Sequence, residues 1–166
     1  MTSPFFSVTS DVMALEKTNI RILIVDKWSF QLLNTLTTLS DAGYFNTFPA
    51  LNCVEALTAL RDTKHPYDVL LCSTALDVEE LCALLEVASR DHLTSYYSLF
   101  GDSRPQGKCT TRLQDIYTPG LQFLGTFEKP LSSTRYGQAL ARVHTRKNQR
   151  PPTLLGTWAM APSINQ

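Results

Sequence analysis

Residues 67–77 read YDVLLCSTALD, and the apolar run Val69–Cys72 within them is typical of a strand buried on both faces of a sheet. In many α/β proteins such a strand carries a reactive carboxylate at its C-terminal end. Here that end carries the hydroxyl groups of Ser73 and Thr74. The stretch therefore indicates a parallel sheet, and it raises the question of what stands in place of the carboxylate.

Short apolar runs alternate with helical patterns along the rest of the chain. Further strands are expected at residues 21–25, 45–50, 95–100 and 121–125. Helices are expected over 30–42, 52–61, 81–88, 111–117 and 132–143, with Ser29, Asn52 and either Ser132 or Ser133 as N-caps. The apolar face predicted for the first helix comprises Phe30, Leu33, Leu36 and Leu39.

This (βα)5 order predicts an α/β fold with a doubly wound, parallel, five-stranded sheet. Flavodoxin-like strand order 2-1-3-4-5 with right-handed crossovers is the expected topology. Ligand sites in such folds lie at the C-terminal ends of strands 1 and 3. That edge would hold Asp26, Lys27, Ser73 and Thr74.

Length and composition set the broad class of protein. The chain has 166 residues, which suits one domain at 19–145, a flexible arm at 1–18 and a tail or linker at 146–166. A formal net charge of +0 argues against a nucleic-acid partner. The N-terminus lacks the pattern of a secretory signal, and no apolar run has membrane-spanning length, so a cytoplasmic protein without membrane contact is expected.

The motifs of common catalytic and cofactor sites are absent. No GxGxxG follows the first strand, no P-loop occurs, and no GxSxG surrounds Ser73. The four cysteines, Cys53, Cys72, Cys82 and Cys109, form no CxxC pair, and Cys72 and Cys82 are predicted to be core residues. We therefore expect no metal, no cofactor and no enzymatic activity.

Four segments together resemble the receiver (CheY-like) domain of two-component response regulators. They are RILIVDKWSF at 21–30, ALNCVEALTAL at 50–60, YDVLLCSTALD at 67–77 and GLQFLGTFEKPLS at 120–132. Their order and spacing extend the resemblance over residues 19–144, about three-quarters of the chain. The last segment is most similar to receivers of regulators that carry cyclic-di-GMP phosphodiesterase output domains.

The resemblance implies where a phosphorylation site would lie. Receivers use an aspartate after strand three as phosphoryl acceptor, and that position is Ser73. The acidic pair that holds Mg²⁺ corresponds to Asp26 and Lys27, and the hydroxyl after strand four corresponds to Phe100. Lys129, followed by Pro130, matches the lysine and proline of the receiver pattern.

The departures from the pattern all weaken phosphoryl chemistry. A single carboxylate beside an ammonium is a poor Mg²⁺ site, and a serine nucleophile needs an activating base. The resemblance therefore implies a degenerate receiver, or pseudo-receiver. We expect Asp26 to pair directly with Lys129, with Lys27 supplying part of the charge that Mg²⁺ would carry.

A pseudo-receiver would act by protein contact without aspartyl phosphorylation. Its partner would be a histidine kinase, an output domain or a second copy of the chain. Receivers commonly use the face of their last two helices and fifth strand, which here spans 111–117, 121–125 and 133–143. Candidate contact residues are Leu113, Tyr117, Phe127, Tyr136 and, in the tail, Trp158, although most of these could instead be core residues.

Two other functions remain open from the sequence. The chain could be a phosphorylatable receiver whose acceptor is shifted to Asp77, which would require the third strand to end later. It could also be a small-molecule or flavin-binding protein of flavodoxin-like fold, for which only the fold itself would argue.

Overall fold

The computed structural model describes residues 17–101, 113, 116 and 118–143. Most of the predicted arm at 1–18 and all of the predicted tail at 146–166 lie outside this part of the chain. Residues 17–19 form a helical turn, so regular structure begins upstream of the predicted domain start at Asn19. Lys17 anchors this turn, because its Nζ donates to the carbonyl oxygen of Ala42 at 3.2 Å.

Five parallel strands form one sheet in the order β2-β1-β3-β4-β5. Their bounds are Ile22–Val25 (β1), Thr47–Ala50 (β2), Val69–Ser73 (β3), Tyr96–Gly101 (β4) and Gln122–Glu128 (β5). The predicted fold class and strand order are therefore confirmed. The short strand β2 contains Pro49, which is tolerated because β2 lies at an edge of the sheet.

Four helices are described in full. They are Ser29–Asp41 (α1), Cys53–Arg61 (α2), Val78–Arg90 (α3) and Ser133–Leu140 (α4). Asn52 caps α2 as predicted, accepting the Glu55 N–H at 2.8 Å, and Ser132 caps α4. In the predicted helix at 111–117, only residues 113 and 116 are described.

The alternation of side chains along the strands produces two cores, one on each face of the sheet. Leu23 and Leu70 face the core covered by α2 and α3, whereas Ile24 and Leu71 face the core covered by α1 and α4. Residues at successive positions point to opposite faces, so strands buried on both faces read as continuous apolar runs. Cys72 and Cys82 are buried core residues, as predicted.

Helix α1 departs from the prediction at its start and on its buried face. Its N-cap is Trp28, which makes no side-chain capping bond, and Ser29 is the first helical residue. The buried residues are Leu32, Thr35 and Leu39. Because α1 has leucines at adjacent positions, its sequence pattern is compatible with more than one buried face. Packing against the sheet kept Leu39 and Leu36 on the core side but buried Leu32 in place of Leu33.

On the outer side of α1, two of the predicted core residues face solvent. Phe30 is 73% exposed and Leu33 is 60% exposed. Thr35 can be buried in their place because its hydroxyl donates to the Gln31 carbonyl oxygen at 2.9 Å. The prediction that Phe30 and Leu33 belong to the helix's core face was wrong.

Strand β5 continues beyond the predicted end at Gly125 to Glu128. Gly125 has a φ of 125°, and the β4–β5 register shifts between Tyr97 and Leu99. An irregularity of this kind lets a glycine lie inside a strand rather than end it. The extension places Lys129 directly after β5, and the Lys129–Pro130 peptide bond is cis.

Within the described ranges, no helix has both the length and the apolar character needed to cross a membrane.

Candidate functional site

The candidate site lies at the C-terminal edge of the sheet, where three parallel strands end side by side. Asp26 follows β1, Ser73 ends β3, and Lys129 follows β5. Parallel strands bring their carboxyl ends to one edge, so residues far apart in sequence converge there. The structure thus brings together three of the sequence-predicted positions in one polar cluster.

Lys129 is the centre of this cluster. Its Nζ lies 3.0 Å from Asp26 Oδ2, 2.7 Å from Ser73 Oγ and 2.7 Å from Gln31 Oε1. A lysine ammonium has three N–H donors, so these three acceptors use its full donor capacity. The lysine side chain is 12% exposed, and the network is therefore largely shielded from water.

Asp26 is completely buried, and its charge is matched locally. Its Oδ2 accepts from Lys129, and its Oδ1 accepts the backbone N–H of Trp28 at 3.2 Å. A buried carboxylate is costly unless it is paired and hydrogen-bonded, and both conditions are met here. The direct Asp26–Lys129 contact expected from the sequence is present.

Lys27 does not take part in the cluster. It is exposed, and its Nζ lies 5.2 Å from the centroid of the Trp28 ring. The expectation that Lys27 supplies charge to the pocket was wrong, because its side chain is exposed and contacts the Trp28 ring instead. Gln31 in the first turn of α1 supplies the third acceptor for Lys129 instead.

The hydroxyl of Ser73 is engaged on both sides. Ser73 Oγ accepts from the Lys129 ammonium and from the backbone N–H of Ala75 at 3.2 Å. The neighbour of Ser73 Oγ in the cluster is therefore the Lys129 ammonium, which donates a hydrogen bond to it. An ammonium that donates in this way cannot act as the base that a serine nucleophile requires. The next helix, α3, is capped by Asp77 rather than by Ser73.

Phe100 fills the remaining side of the pocket with an aromatic ring. Its side chain is fully buried, and its ring centroid lies 4.7 Å from Lys129 Nζ, a cation–π distance. The ring cannot donate a hydrogen bond to an anion. Phe100 therefore stabilises the ammonium where a hydroxyl would be needed to bind a phosphoryl group.

A close approach behind the site involves Gly101 and Thr74. A Cβ atom added at Gly101 would lie 1.8 Å from Thr74 Oγ1. Only glycine fits at this position unless Thr74 moves. Sequence reasoning placed Thr74 at the edge but gave no signal of this contact.

The residues at this edge do not fit Mg²⁺, the ion that receivers use. Asp26 is the single carboxylate of the cluster, and an ammonium occupies its Oδ2. Mg²⁺ requires oxygen ligands in octahedral arrangement. In the part of the chain that the structure describes, no group of three or more His, Cys, Asp or Glu side chains is placed to hold a metal ion.

The thiol of Cys53, at the start of α2, is protonated at neutral pH. Burial, together with the negative charges of Glu80 and Asp77, raises the pKa of Cys53 to about 11. Because the thiolate is the nucleophilic form, Cys53 is inert as a nucleophile at neutral pH.

Two of the predicted interface residues belong to the core. Leu113 is buried, and Tyr136 is fully buried, with its hydroxyl hydrogen-bonded to Ser98 Oγ at 2.8 Å. Burial raises the pKa of Tyr136 well above its usual range, and the Ser98 hydrogen bond only partly offsets this effect. Neither residue is available as a surface contact, because each packs on apolar neighbours inside the domain.

The other interface candidates differ in status. Phe127 is half-buried and packs edge-on against Tyr136, with ring centroids 4.9 Å apart. Tyr117 and Trp158 lie outside the described residues. Phe127 therefore remains a prediction as a contact residue.

A groove of about 320 Å³ opens beside the Lys129 cluster. It lies between α1 and the loop that joins β5 to α4, and it is lined by Phe30, Gln31, Asn34, Thr35, Thr38, Lys129, Pro130 and Leu131. Sequence reasoning missed this groove, because it assigned Phe30 to the core. An exposed phenylalanine at the edge of a pocket is the signal that the structure adds.

Comparison with solved structures agrees with the fold described above. A scan against protein-family models found no match, and a search of curated proteins found none. Among solved structures, a response regulator receiver domain protein from Clostridium thermocellum superposes with a TM-score of 0.55 at 16% identity, covering 74% of this chain and 91% of that one. A chemotaxis response regulator of Vibrio cholerae gives a TM-score of 0.55 at 19% identity, covering 74% of this chain and 97% of that one.

A third neighbour, the receiver domain of a Francisella response regulator, has a TM-score of 0.52 at 17% identity, covering 74% of this chain and 98% of that chain. At sequence identities this low, the structural similarity is evidence for the fold alone. The chain therefore has the fold of a response regulator receiver domain, the CheY-like variant of the flavodoxin-like fold.

Proposed function

We propose that this chain is a pseudo-receiver, a non-catalytic signal-transduction module that acts by protein contact without aspartyl phosphorylation. The observation that carries the proposal is the closed Lys129 network. Lys129 uses its three donors on Asp26, Ser73 and Gln31 within the domain. By the receiver pattern, Asp26 corresponds to a metal ligand and Ser73 to the phosphoryl acceptor, and Gln31 is a neighbouring side chain. No N–H donor of Lys129 is therefore left to bind a phosphoryl group.

The energetics of the network support the same proposal. Opening the site to Mg²⁺ would require Lys129 to leave a buried carboxylate, and separating a buried pair costs about 3–5 kcal/mol. One carboxylate would then hold the ion alone. This cost opposes Mg²⁺ binding at Asp26 and favours a module that acts without phosphoryl transfer.

The alternative acceptor, Asp77, has a structural role of its own. Its Oδ1 accepts the backbone N–H groups of Glu79 at 2.9 Å and Glu80 at 3.2 Å, so it caps α3. Strand β3 ends at Ser73, before Asp77. These contacts favour the pseudo-receiver over a receiver with a shifted acceptor.

The test is an NMR titration of the ¹⁵N-labelled chain with Mg²⁺ and then with Mg²⁺ plus beryllofluoride, which mimics a phosphoryl group. We expect no saturable shift at the amides of Asp26, Ser73 or Lys129. A phosphorylatable receiver domain, titrated under the same conditions, is the positive control. Saturable shifts in this pocket of our chain would overturn the proposal.

The shifted-acceptor alternative has its own readout. Incubation with Mg²⁺ and a small phosphodonor, followed by intact mass measurement, should leave the mass of the chain unchanged. A phosphorylated species that disappears in Asp77→Asn would establish the alternative. The flavin-binding alternative predicts a coloured purified protein, whereas the pseudo-receiver predicts a colourless one.

The partner of a pseudo-receiver is a kinase, an output domain or a second copy of the chain. The exposed apolar residues Trp28, Phe30 and Leu51 lie beside the C-terminal edge of the sheet. Such residues stabilise protein contacts more than they stabilise an isolated domain. The proposed contact surface therefore lies beside the Lys129 network, in addition to the half-buried Phe127.

A further inference from the structure

Helix α1 has an outer face that carries no charge before its last residue, Asp41. From Trp28 to Ser40 the sequence WSFQLLNTLTTLS contains no acidic, basic or histidine residue. Solvent-facing helices normally carry charged residues on the face opposite the core. Here that face presents the exposed side chains of Phe30, Leu33, Asn34 and Thr37.

The charges that flank this face are opposite in sign. Lys27 precedes α1, and Asp41 is its last residue, and both are exposed. Asn34 stands midway between them in the sequence. In a helix, Phe30, Asn34, Thr37 and Asp41 recur at i, i+4, i+7 and i+11 and therefore share one side.

This arrangement is complementary to itself when two copies meet antiparallel. A twofold axis at Asn34 would place Lys27 of each copy beside Asp41 of the other, so two opposite-charge pairs would close the ends of the contact. It would also place the Asn34 amides opposite each other, where each can donate and accept. The small side chains of Thr37 and Ser40 allow helices to approach to about 8–10 Å between axes.

The groove beside α1 provides a place for an aromatic anchor. In the antiparallel arrangement Phe30 of one copy meets Thr38 of the other, and Thr38 lines the 320 Å³ groove together with Pro130 and Leu131. A phenylalanine ring buries about 150–250 Å² when it enters such a pocket. Each copy would insert one ring and receive one, as a closed symmetric interface requires.

We propose that α1 is a homodimer interface in which two copies of this chain pair antiparallel about Asn34. The proposal deepens the proposed function by naming the partner and the surface of the contact module. It differs from the face of the last helices and β5 that the sequence resemblance suggested. Because the contact would involve a single helix of each copy, we expect a weak dimer with a Kd in about the micromolar range.

The experiment is sedimentation velocity of the full chain over about 1–500 μM, the range that brackets such a Kd. We expect a concentration-dependent monomer–dimer equilibrium. Lys27→Glu and Asp41→Lys should each weaken dimerisation by about tenfold, because each turns two opposite-charge pairs into like-charge pairs. The double variant Lys27→Glu/Asp41→Lys should restore the wild-type Kd.

The charge swap identifies the antiparallel pairing, since restoration requires that these two positions meet across the interface. Phe30→Glu should abolish the dimer. Val54→Glu is its matched control, because Val54 is an apolar residue on α2 that is 75% exposed and should leave the dimer unchanged. Circular dichroism of each variant shows whether it folds, and the charge variants test the interface even if Phe30→Glu does not fold.

A disulfide test locates the axis. In a Cys109→Ser background, Asn34→Cys should cross-link two copies under mild oxidation, whereas Val54→Cys should not. A chain that stays monomeric over the whole concentration range would overturn the proposal. The occupant of α1 would then be another protein or residues 144–166 of the same chain. A dimer whose Kd is unaffected by Lys27→Glu and Asp41→Lys would overturn it as well.

These outcomes are independent of the phosphorylation test. A chain that binds Mg²⁺ and beryllofluoride but dimerises through α1 would refute the pseudo-receiver alone. A chain that ignores both ligands and stays monomeric would refute the dimer alone.

Discussion

Helices α1 and α3 each contain 13 residues, yet they are built differently. Helix α3 buries Leu81, Cys82, Leu84, Leu85, Ala88 and Ser89 and presents charged residues such as Glu79 and Glu86 to water. Helix α1 buries three residues and exposes Phe30 and Leu33. The comparison distinguishes a helix that stabilises the domain from one whose outer face is suited to contact.

The two helices also begin differently. The first turn of α3 is fixed locally, because Asp77 accepts two backbone N–H groups. The first turn of α1 has no side-chain cap from its N-cap residue Trp28, whose own N–H is bound by the nearby Asp26. Its distant support is Lys129, which donates to Gln31 from 98 positions further along the chain. The Lys129 network therefore orders the helix that we propose as the interface.

The largest expected effect comes from removing the distant support of α1. Lys129→Met should lower the free energy of unfolding by about 3–5 kcal/mol, because it leaves the buried Asp26 carboxylate without its cation. Urea denaturation measures this change. The exposed Lys64→Met is the control and should change stability by less than about 0.5 kcal/mol.

A double-mutant cycle sharpens this prediction. Asp26→Asn combined with Lys129→Met removes both charges, so the double variant should be less destabilised than the sum of the two single variants. Strict additivity, or unchanged stability in Lys129→Met, would show that the pair does not hold the edge of the sheet together.

The next effect compares a buried leucine of α3 with an exposed leucine of α1. Leu85→Ala on α3 should cost about 3 kcal/mol, because Leu85 is fully buried and its removal leaves a cavity. Leu33→Ala on α1 should cost less than about 0.5 kcal/mol in the monomer, because Leu33 is 60% exposed. Urea unfolding at low protein concentration tests both, and equal losses would contradict the division between the helices.

A smaller effect compares the helix starts. Asp77→Ala should cost about 1 kcal/mol, the usual loss when an N-cap is removed. Ser29→Ala should cost almost nothing, because Ser29 lies inside α1 and does not cap it. Thermal unfolding of both variants measures the difference, and a larger loss in Ser29→Ala would mean that α1 is capped as its sequence suggested.

The smallest effect concerns the end of α3. Hydrogen bonds from Arg90 and Arg61 lower the pKa of Asp91 below its usual range. The resulting stability is present above the pKa of the unfolded chain and is lost as the pH falls through the lower, folded value. The stability difference between wild type and Asp91→Asn should therefore shrink below about pH 4.

Salt provides an independent check on the Asp91 prediction. Because these ion pairs are exposed, about 1 M salt should reduce the same difference at neutral pH. A difference that is constant across pH and salt would assign the effect to the C-cap geometry of α3 rather than to charge.

The sequence predicted the strands well because their signal is local. Continuous apolar runs such as Val69–Cys72 identify strands buried on both faces. Their alternation with helices limits the possible strand orders of the sheet to a few. Local signals also predicted the cap at Asn52, whereas the pairing of Asp26 with Lys129 was expected from the receiver resemblance. They failed at Gly125, because a glycine can end a strand or lie in an irregular one.

Features that depend on packing between elements could not be predicted in this way. Which leucines of α1 face the sheet was decided by the fit of Leu32 and Leu39 against the core, because the helical period allowed either set. Gln31 joined the Lys129 network because α1 starts beside the end of β5 in space, although nearly a hundred positions separate them in sequence. The same packing exposed Phe30 and opened the groove next to it.

The sequence by itself thus determined the fold and the residues at the edge of the sheet, because strand burial and strand order are encoded in short apolar periods. The tertiary structure decided how those residues pair and which helix face is left outside. Hydrogen bonds and packing between distant elements depend on three-dimensional distances, and no period along the chain records them.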